Sequence, residues 1–354
     1  MRSNKDNKFL LIWLLINLTL IIMMVAIGGI TRLTDSGLSM TNWRLFMGII
    51  PPLNESDWID YFNQYKKTPE FMMKNFNMTL PEFKKIFFWE YLHRIWGRLI
   101  GLVFFLPLVY FWLTKKLTQN EKKNFFILSL IGFFQAFMGW FMVKSGLYEK
   151  PDVSHFRLSA HLLTAFIIYS ILLYIFWNSY RSFYSSDNSY FGDEAKLEKY
   201  IVCSILILLS TIVTGAFVAG TNSGLSYNNF PLMDERIYPP ILASEENKNF
   251  LILLNDSGFI QFLHRIFATL TLVTIFLTYF LNRKSNISSF LYRILAAIFL
   301  LIIFQYILGI TILLLYVPIS LGLFHQLSSM AILSILVIGY SEIQFIKKTN
   351  KLYS

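Results

Sequence analysis

The chain has 354 residues, of which 55% are hydrophobic and 18% are aromatic, and its formal net charge is +10. Only 15% of the residues are charged, against roughly 25% in soluble domains, so the composition excludes an ordinary soluble globular protein. The basic residues flank long apolar runs and form no separate basic domain, which argues against nucleic acid as a partner. The single cysteine, Cys203, excludes an intramolecular disulfide and any cysteine-based zinc or iron–sulfur site.

Eight apolar runs are each long enough to cross the hydrocarbon core of a bilayer. They cover residues 9–28, 87–113, 124–143, 156–177, 200–219, 259–281, 294–314 and 321–341. The first run follows Lys5 and Lys8 as a signal peptide would, but it is long enough to span and no A-x-A-like cleavage site follows it. We therefore predict an all-α integral membrane protein with eight transmembrane helices.

Charge asymmetry orients these helices. With eight spans both termini lie on one side, and the segments on that side hold sixteen basic and seven acidic residues, against eleven basic and thirteen acidic residues in the opposite loops. The positive-inside rule therefore predicts cytoplasmic termini, with the long loops 29–86 and 220–258 outside. Too few residues precede the first run for a long Arg- and Ser-rich transit segment, so we expect a bacterial plasma (inner) membrane, with lipid around the helices, rather than an organelle.

The two halves of the chain resemble each other at matched positions. Three motifs recur in the same order: SGLS at 36–39 and 223–226, His-Arg at 93–94 and 264–265, and Gln-x-x-x-Gly at 135–139 and 305–309. This order predicts two tandem four-helix bundles related by a pseudo-two-fold axis along the membrane normal. The predicted divisions are residues 1–177, a cytoplasmic linker at 178–199, and residues 200–354. We interpret Gly139 and Gly309 as close-packing positions between helices.

Four of the five histidines fall at repeat-matched positions, namely His93, His161, His264 and His325. All four lie in even-numbered spans, roughly 7–10 Å from the outer end at 1.5 Å per residue. Ionisable groups are rare and costly inside a membrane, so four at one depth indicate metal ligands rather than isolated core residues. His155 lies at a loop boundary without a partner in the second half, and we do not predict it to be a ligand.

Heme iron suits these pairs better than other metals. Mononuclear zinc and copper sites usually need more protein ligands, and no second cluster of Cys, Asp or Glu accompanies either pair. A porphyrin supplies four nitrogens itself, which leaves two axial positions for imidazoles on facing helices. The sequence therefore predicts one heme-binding histidine pair in each half.

Charged residues near the histidines each have two interpretations. Three arginines are expected either to pair with heme propionates near the outer surface or to extend to lipid phosphates: Arg94, Arg157 and Arg265. Glu90 lies three residues before His93, whereas the matched residue of the second half is the neutral Gln261. Glu90 serves either as an i, i+4 ion-pair partner of Arg94 or in proton chemistry beside a heme-bound reactant.

Taken together, these residues resemble the heme A synthase family, whose members oxidise the C8 methyl group of heme O to a formyl group. The resemblance covers essentially the whole chain and rests on four segments: GGITRLTDSGLSM at 28–40, EYLHR at 90–94, AHLL at 160–163, and the paired His264 and His325. Some family members carry a cysteine pair in the first outer loop. This chain lacks that pair and resembles the subgroup without it.

The resemblance implies a division of roles between the halves. His264 and His325 would be the axial ligands of a resident heme b. His93 and His161 would face the substrate, heme O, with Glu90 as an essential acid. The product, heme A, would serve terminal oxidase assembly. The resemblance also implies a heme O synthase as the partner that delivers the substrate, while the electron donor is not identified by the sequence.

Two other classes of protein would use the same residues. A bis-histidine transmembrane b-type cytochrome, taking electrons from quinol, would hold both hemes permanently. A duplicated transporter would use the histidines and Glu90 as a proton relay and would purify colourless. The segment between Trp58 and Lys85 is rich in Phe, Met and Lys and has no counterpart in the second half, and the sequence assigns it no role.

Overall fold

The computed structural model describes residues 3–41, 49–147, 152–184, 193–243 and 249–353. Within these residues the chain forms eleven α-helices and no β-strand. In chain order they are α1 (Asn4–Leu33), α2 (Glu55–Tyr65), α3 (Pro69–Lys74), α4 (Leu80–Leu113), α5 (Gln119–Gly146), α6 (His155–Tyr184), α7 (Glu194–Thr221), α8 (Phe250–Leu253), α9 (Ser257–Asn282), α10 (Ser289–Leu314) and α11 (Ile319–Tyr353).

Eight of the described helices are long and apolar enough to cross a membrane: α1, α4, α5, α6, α7, α9, α10 and α11. Their number and order match the eight predicted spans, so the prediction of an all-helical membrane protein is confirmed. The tandem arrangement about a pseudo-two-fold axis is consistent with this order and stays a prediction.

The helices extend beyond the apolar runs because polar end turns carry no hydropathy signal. Helix α4 begins at Leu80, ahead of the predicted start at residue 87. The side chain of Glu82 accepts a hydrogen bond from the backbone N–H of Thr79 at 2.8 Å, which completes a capping box at the start of this helix. The predicted linker is likewise partly helical, since α6 continues to Tyr184 and α7 begins at Glu194, while residues 185–192 lie outside the described residues.

The described chain groups into two compact units, residues 19–165 and residues 1–18 with 166–354. In the second of these, α7 packs against α9, α9 against α10, α10 against α11, and α11 against α7, which closes a four-helix ring. Its interior is filled by fully buried branched side chains such as Ile201, Ile298 and Leu333. The predicted division of the chain at 178–199 stays a prediction.

In the unit of residues 19–165, side chains join the spanning helices in pairs. The indole N–H of Trp96 on α4 donates to the carbonyl of Leu20 on α1 at 2.9 Å. Phe105 on α4 stacks on Phe133 of α5 with 5.4 Å between ring centroids. These contacts place α4 beside both α1 and α5 and position the residues described below.

Helices α2 and α3 lie between α1 and α4, in the loop predicted to be the first outer loop, and form what we call the outer cap, residues 54–78. Each has a side-chain cap: the Asn54 side chain accepts a hydrogen bond from the Asp57 N–H, and the Thr68 side chain accepts one from the Phe71 N–H. Aromatic side chains join the cap to the start of α4 in one buried cluster, whose members are Met40, Phe62, Tyr65, Phe83 and Phe87. The outer cap is therefore packed on the helix that carries Glu90 and His93.

Candidate functional site

Each of the four repeat-matched histidines packs its ring on a glycine of the preceding spanning helix. The pairs are His93 with Gly28, His161 with Gly139, His264 with Gly215, and His325 with Gly309. A Cβ atom at these glycines would lie 3.0, 3.2, 3.1 and 3.1 Å, respectively, from the imidazole Cε1. Each ring therefore occupies space that any other residue would fill, which explains glycine at all four positions. Gly139 and Gly309 are the predicted close-packing positions, whereas Gly28 and Gly215 were not identified from the sequence.

The histidines form one pair in each half. His93 and His161 are near enough to interact electrostatically, and so are His264 and His325. All four residues are only partly buried. The Nδ1 atoms of His93, His161 and His325 are enclosed without a hydrogen-bond partner. The Nε2 atoms of His93 and His325 are not enclosed in this way, and Nε2 is the atom that an iron ligand needs.

This arrangement fits heme better than a metal held by protein alone. Among the described residues there is no group of three or more His, Cys, Asp or Glu side chains that could hold a metal ion. A pair of imidazoles supplies what a porphyrin iron lacks, since the macrocycle provides the other four ligands. In the first pair the His161 Nε2 atom is 3.2 Å from the Gln135 side-chain nitrogen, so that atom already faces a polar partner.

A hydrogen-bond chain orients one histidine of the second half. The Nδ1 atom of His264 is 3.1 Å from the Thr214 hydroxyl, and that hydroxyl donates to the Thr211 carbonyl at 2.9 Å. Because the hydroxyl proton is used in this way, the oxygen accepts from Nδ1–H, which leaves the lone pair on Nε2. The matched residue in the first half is Ile27, which has no acceptor side chain. The second half thus has a hydroxyl beside Nδ1 of His264, whereas Nδ1 of the matched His93 has no hydrogen-bond partner.

Glu90 is buried in a polar setting built by the first outer loop. One carboxylate oxygen accepts hydrogen bonds from the Ser39 hydroxyl and the Met40 N–H, both at 2.7 Å. The other oxygen forms a close ion pair with Arg94, which is one of the two roles that the sequence left open for Glu90. Arg94 also donates to the Met40 carbonyl at 3.0 Å. Glu90 therefore ties the SGLS segment to α4, and its ion pair does not exclude a proton-handling role.

In the second half, the matched loop is also tied to its helix by hydrogen bonds, but the neutral Gln261 replaces the carboxylate. The Gln261 amide donates to the carbonyl of Tyr227, the residue matched to Met40, at 3.1 Å. The Arg265 guanidinium donates to four loop carbonyls: Tyr227, Asn229, Pro231 and Leu232. In this structure Arg265 holds the outer loop, an interpretation that the sequence did not suggest. Propionate pairing by Arg94 and Arg265 stays a prediction.

Two further arginines lie near the first pair. The guanidinium of Arg157 lies over the Phe141 ring at 4.4 Å from its centroid. Arg98 was missed in the sequence, although a second arginine one turn after Arg94 is a signal in its own right. Arg98 donates to the Arg94 carbonyl at 3.0 Å. The matched Thr269 makes the same contact with the Arg265 carbonyl at 2.8 Å, so only the first half carries a charge at this position.

His155, which was not predicted to be a ligand, is the first residue of α6 and contacts the Phe156 ring.

Comparison with known proteins identifies the family. A family model described as Cytochrome oxidase assembly protein matches residues 11–337. The chain is 40% identical over 334 residues to the heme A synthase of Flavobacterium johnsoniae, covering 93% of this chain and 96% of the relative. It is 38% identical over 333 residues to the heme A synthase of Paramagnetospirillum magneticum, with coverage of 94% and 93%. It is 40% identical over 344 residues to that of Pelagibacter ubique, with coverage of 94% and 96%. The chain therefore belongs to the heme A synthase family.

Proposed function

We propose that this protein is a heme A synthase, a membrane oxidoreductase that converts a methyl group of heme O to the formyl group of heme A. Family membership over nearly the whole chain supports the reaction. The structural observation that carries the proposal is the pair of matched histidine sites, of which only the first has a carboxylate, Glu90, where the second has Gln261. This difference suits one reactive half and one electron-transfer half.

The two histidine pairs take different hemes in this proposal. His93 and His161 bind the substrate heme O, and His264 and His325 are the axial ligands of a resident heme b. When bound, heme b supplies electron transfer to or from the substrate site. The Thr214 hydroxyl supports this assignment, because a fixed tautomer and a more basic Nε2 suit a permanent ligand. A substrate site has to release its heme, and the enclosed Nδ1 of His93 lacks such support.

Glu90 holds or moves a proton at the substrate site. Oxidation of a methyl group through a geminal diol to an aldehyde, with loss of water, requires protons to be taken up and released near the reacting carbon. Glu90 lies on the same side of α4 as His93, and Ser39, Met40 and Arg94 fix its carboxylate. These contacts keep the acid in one position without exposing it to bulk water.

The experiment is to express the protein in cells that make heme O but no heme A, and to identify the extracted hemes. The wild type should form heme A. Glu90→Gln should keep the heme b spectrum but accumulate heme O or a hydroxylated intermediate, since Gln261 shows that an amide fits the matched position. A bis-histidine cytochrome would instead leave heme O unchanged in the wild type. If a well-expressed Glu90→Gln protein formed heme A at the wild-type rate, the proposed role of Glu90 would be wrong, while the proposed reaction would stand.

The proposal also covers the orientation of the enzyme, its membrane and the protein that delivers its substrate. Both termini lie in the cytoplasm, as the charge asymmetry supports, and the membrane is a bacterial plasma membrane. A heme O synthase delivers the substrate, because heme O dissolves in the membrane and a direct transfer avoids its loss.

A further inference from the structure

The outer cap encloses a second buried acid. Glu70 on α3 is 4% exposed, and Tyr65 on α2 is fully buried. The Tyr65 hydroxyl donates to a Glu70 carboxylate oxygen at 3.0 Å and accepts a hydrogen bond from the Asn75 amide at 2.7 Å. A carboxyl group inside an aromatic cluster is costly to bury unless it is neutral or paired. Packing alone therefore does not explain why an acid occupies this buried position.

The cap is placed to act on Glu90. Its aromatic cluster includes Phe83 and Phe87, which lie two turns and one turn before Glu90 on α4. The same cluster includes Met40, whose backbone N–H binds the Glu90 carboxylate. Glu70 and Tyr65 are both near enough to Glu90 to interact with its charge. The described part of the second outer loop contains no such pair of helices, and there the matched residue is the neutral Gln261.

We propose that Glu70 is a positioning residue for Glu90, and that in its neutral form it keeps the cap packed on the start of α4 and the Glu90 carboxylate in place. The proposal rests on the proposed function of Glu90. The neutral acid adds no charge near Glu90, whereas an ionised Glu70 would repel the Glu90 carboxylate and destabilise its position. The packing of the cap on α4 and the reaction at the first half would then both depend on the protonation of Glu70.

The charged and titratable groups around Glu70 determine the pH at which it changes from neutral to ionised. They are Tyr65 from α2, Lys74 from α3, Asp35 from the first outer loop and Glu90 from α4. Burial, the largest effect, raises the pKa of Glu70 to about 8, and the charges of Glu90 and Asp35 act in the same direction. The hydrogen bond from Tyr65 and the charge of Lys74 lower the pKa, but Lys74 is also paired with Asp152. Glu70 is therefore neutral below about pH 8 and ionised above it.

The test is the pH dependence of heme A formation by purified protein in lipid vesicles, given heme O, dissolved oxygen as the oxidant and a chemical reductant, and expressed per bound heme b. With a Glu70 pKa of about 8, wild-type turnover should fall about tenfold from pH 7 to pH 9. Glu70→Gln, which keeps an oxygen for the Tyr65 hydroxyl, should change less than about twofold over that range. Asp60→Asn, a matched loss of charge on the exposed face of α2, should follow the wild type.

A second variant separates this role from simple packing. Tyr65→Phe keeps the aromatic ring but removes the hydroxyl whose hydrogen bond lowers the Glu70 pKa, so its alkaline loss of turnover should move to higher pH. A Glu70→Gln profile that still falls tenfold, or a Tyr65→Phe profile that does not move, would overturn the inference. Glu90→Gln measured in parallel distinguishes the two proposals. If Glu90→Gln is active, the role of Glu90 fails; if Glu90→Gln is inactive and Glu70→Gln keeps the wild-type profile, only the role of Glu70 fails.

Discussion

Replacing Gly309 by alanine tests whether the glycine contacts set the position of a heme ligand. The new Cβ would lie 3.1 Å from Cε1 of His325, whereas unstrained carbon contacts are about 3.5–4.0 Å. The imidazole or the helix must therefore move by about half an ångström. Overpacking of this kind costs about 1–3 kcal/mol, which corresponds to roughly 5- to 150-fold weaker heme retention if the strain falls on the axial bond.

Whether Gly309→Ala weakens or strengthens heme retention distinguishes a steric clash with His325 from the usual effect of alanine on helix stability. Glycine to alanine in a helix normally stabilises a protein by about 0.4–1 kcal/mol, because the unfolded chain loses freedom. Gly132 on α5 has open space where its Cβ would lie, so Gly132→Ala is the matched control and should be neutral or stabilising. Gly309→Ala should instead loosen the heme.

The assay is the transfer of heme b from purified protein to an excess of apomyoglobin, followed by the loss of the low-spin b-type spectrum. We expect Gly309→Ala to release heme at least about fivefold faster than both the wild type and Gly132→Ala. An unaltered spectrum with wild-type release would refute the argument, because it would mean that His325 is not held at the iron by this contact.

Two further predictions concern orientation and the second-half ligand. In a Cys203→Ser background, a cysteine at the exposed Ser56 should react with an impermeant thiol reagent in intact cells and one at the exposed Ser182 should not; the reverse pattern would invert the predicted topology. Thr214→Val removes the acceptor of the His264 Nδ1–H at nearly constant volume, so the low-spin spectrum should persist while heme b is held about tenfold more weakly and its midpoint potential rises. An unchanged potential and affinity would show that this hydrogen bond does not reach the iron.

Much of the fold could be predicted because a membrane imposes a simple rule on sequence. An apolar run long enough to span is visible without any knowledge of packing, and eight such runs became eight long helices. The helix ends were less predictable, since capping turns such as Thr79–Glu82 are polar and lie outside the apolar runs. The i, i+4 spacing of Glu90 and Arg94 suggested their ion pair as one of two alternatives, and the structure contains that ion pair.

The outer cap could not be predicted from hydropathy, because its helices bury one face against α4 and expose the other. The signals were nevertheless present: Asn54 and Thr68 are good N-cap residues, and Trp58, Phe62 and Tyr65 recur at helical spacing between them. The contacts between the glycines and the histidine rings were harder to predict than the outer cap. A sequence shows that glycine permits a close approach but not which side chain makes it, and the role of Gly28 depends on how α1 meets α4.

The pairing of histidines with different hemes is the central claim, and the heme content of His161→Ala tests it most directly. The variant would be purified from cells that supply heme O, and its bound hemes would be extracted and identified. We expect heme b at the wild-type ratio to protein and neither heme O nor heme A, because His264 and His325 are untouched. Loss of heme b with retention of heme O would contradict the assignment of the substrate to the first half.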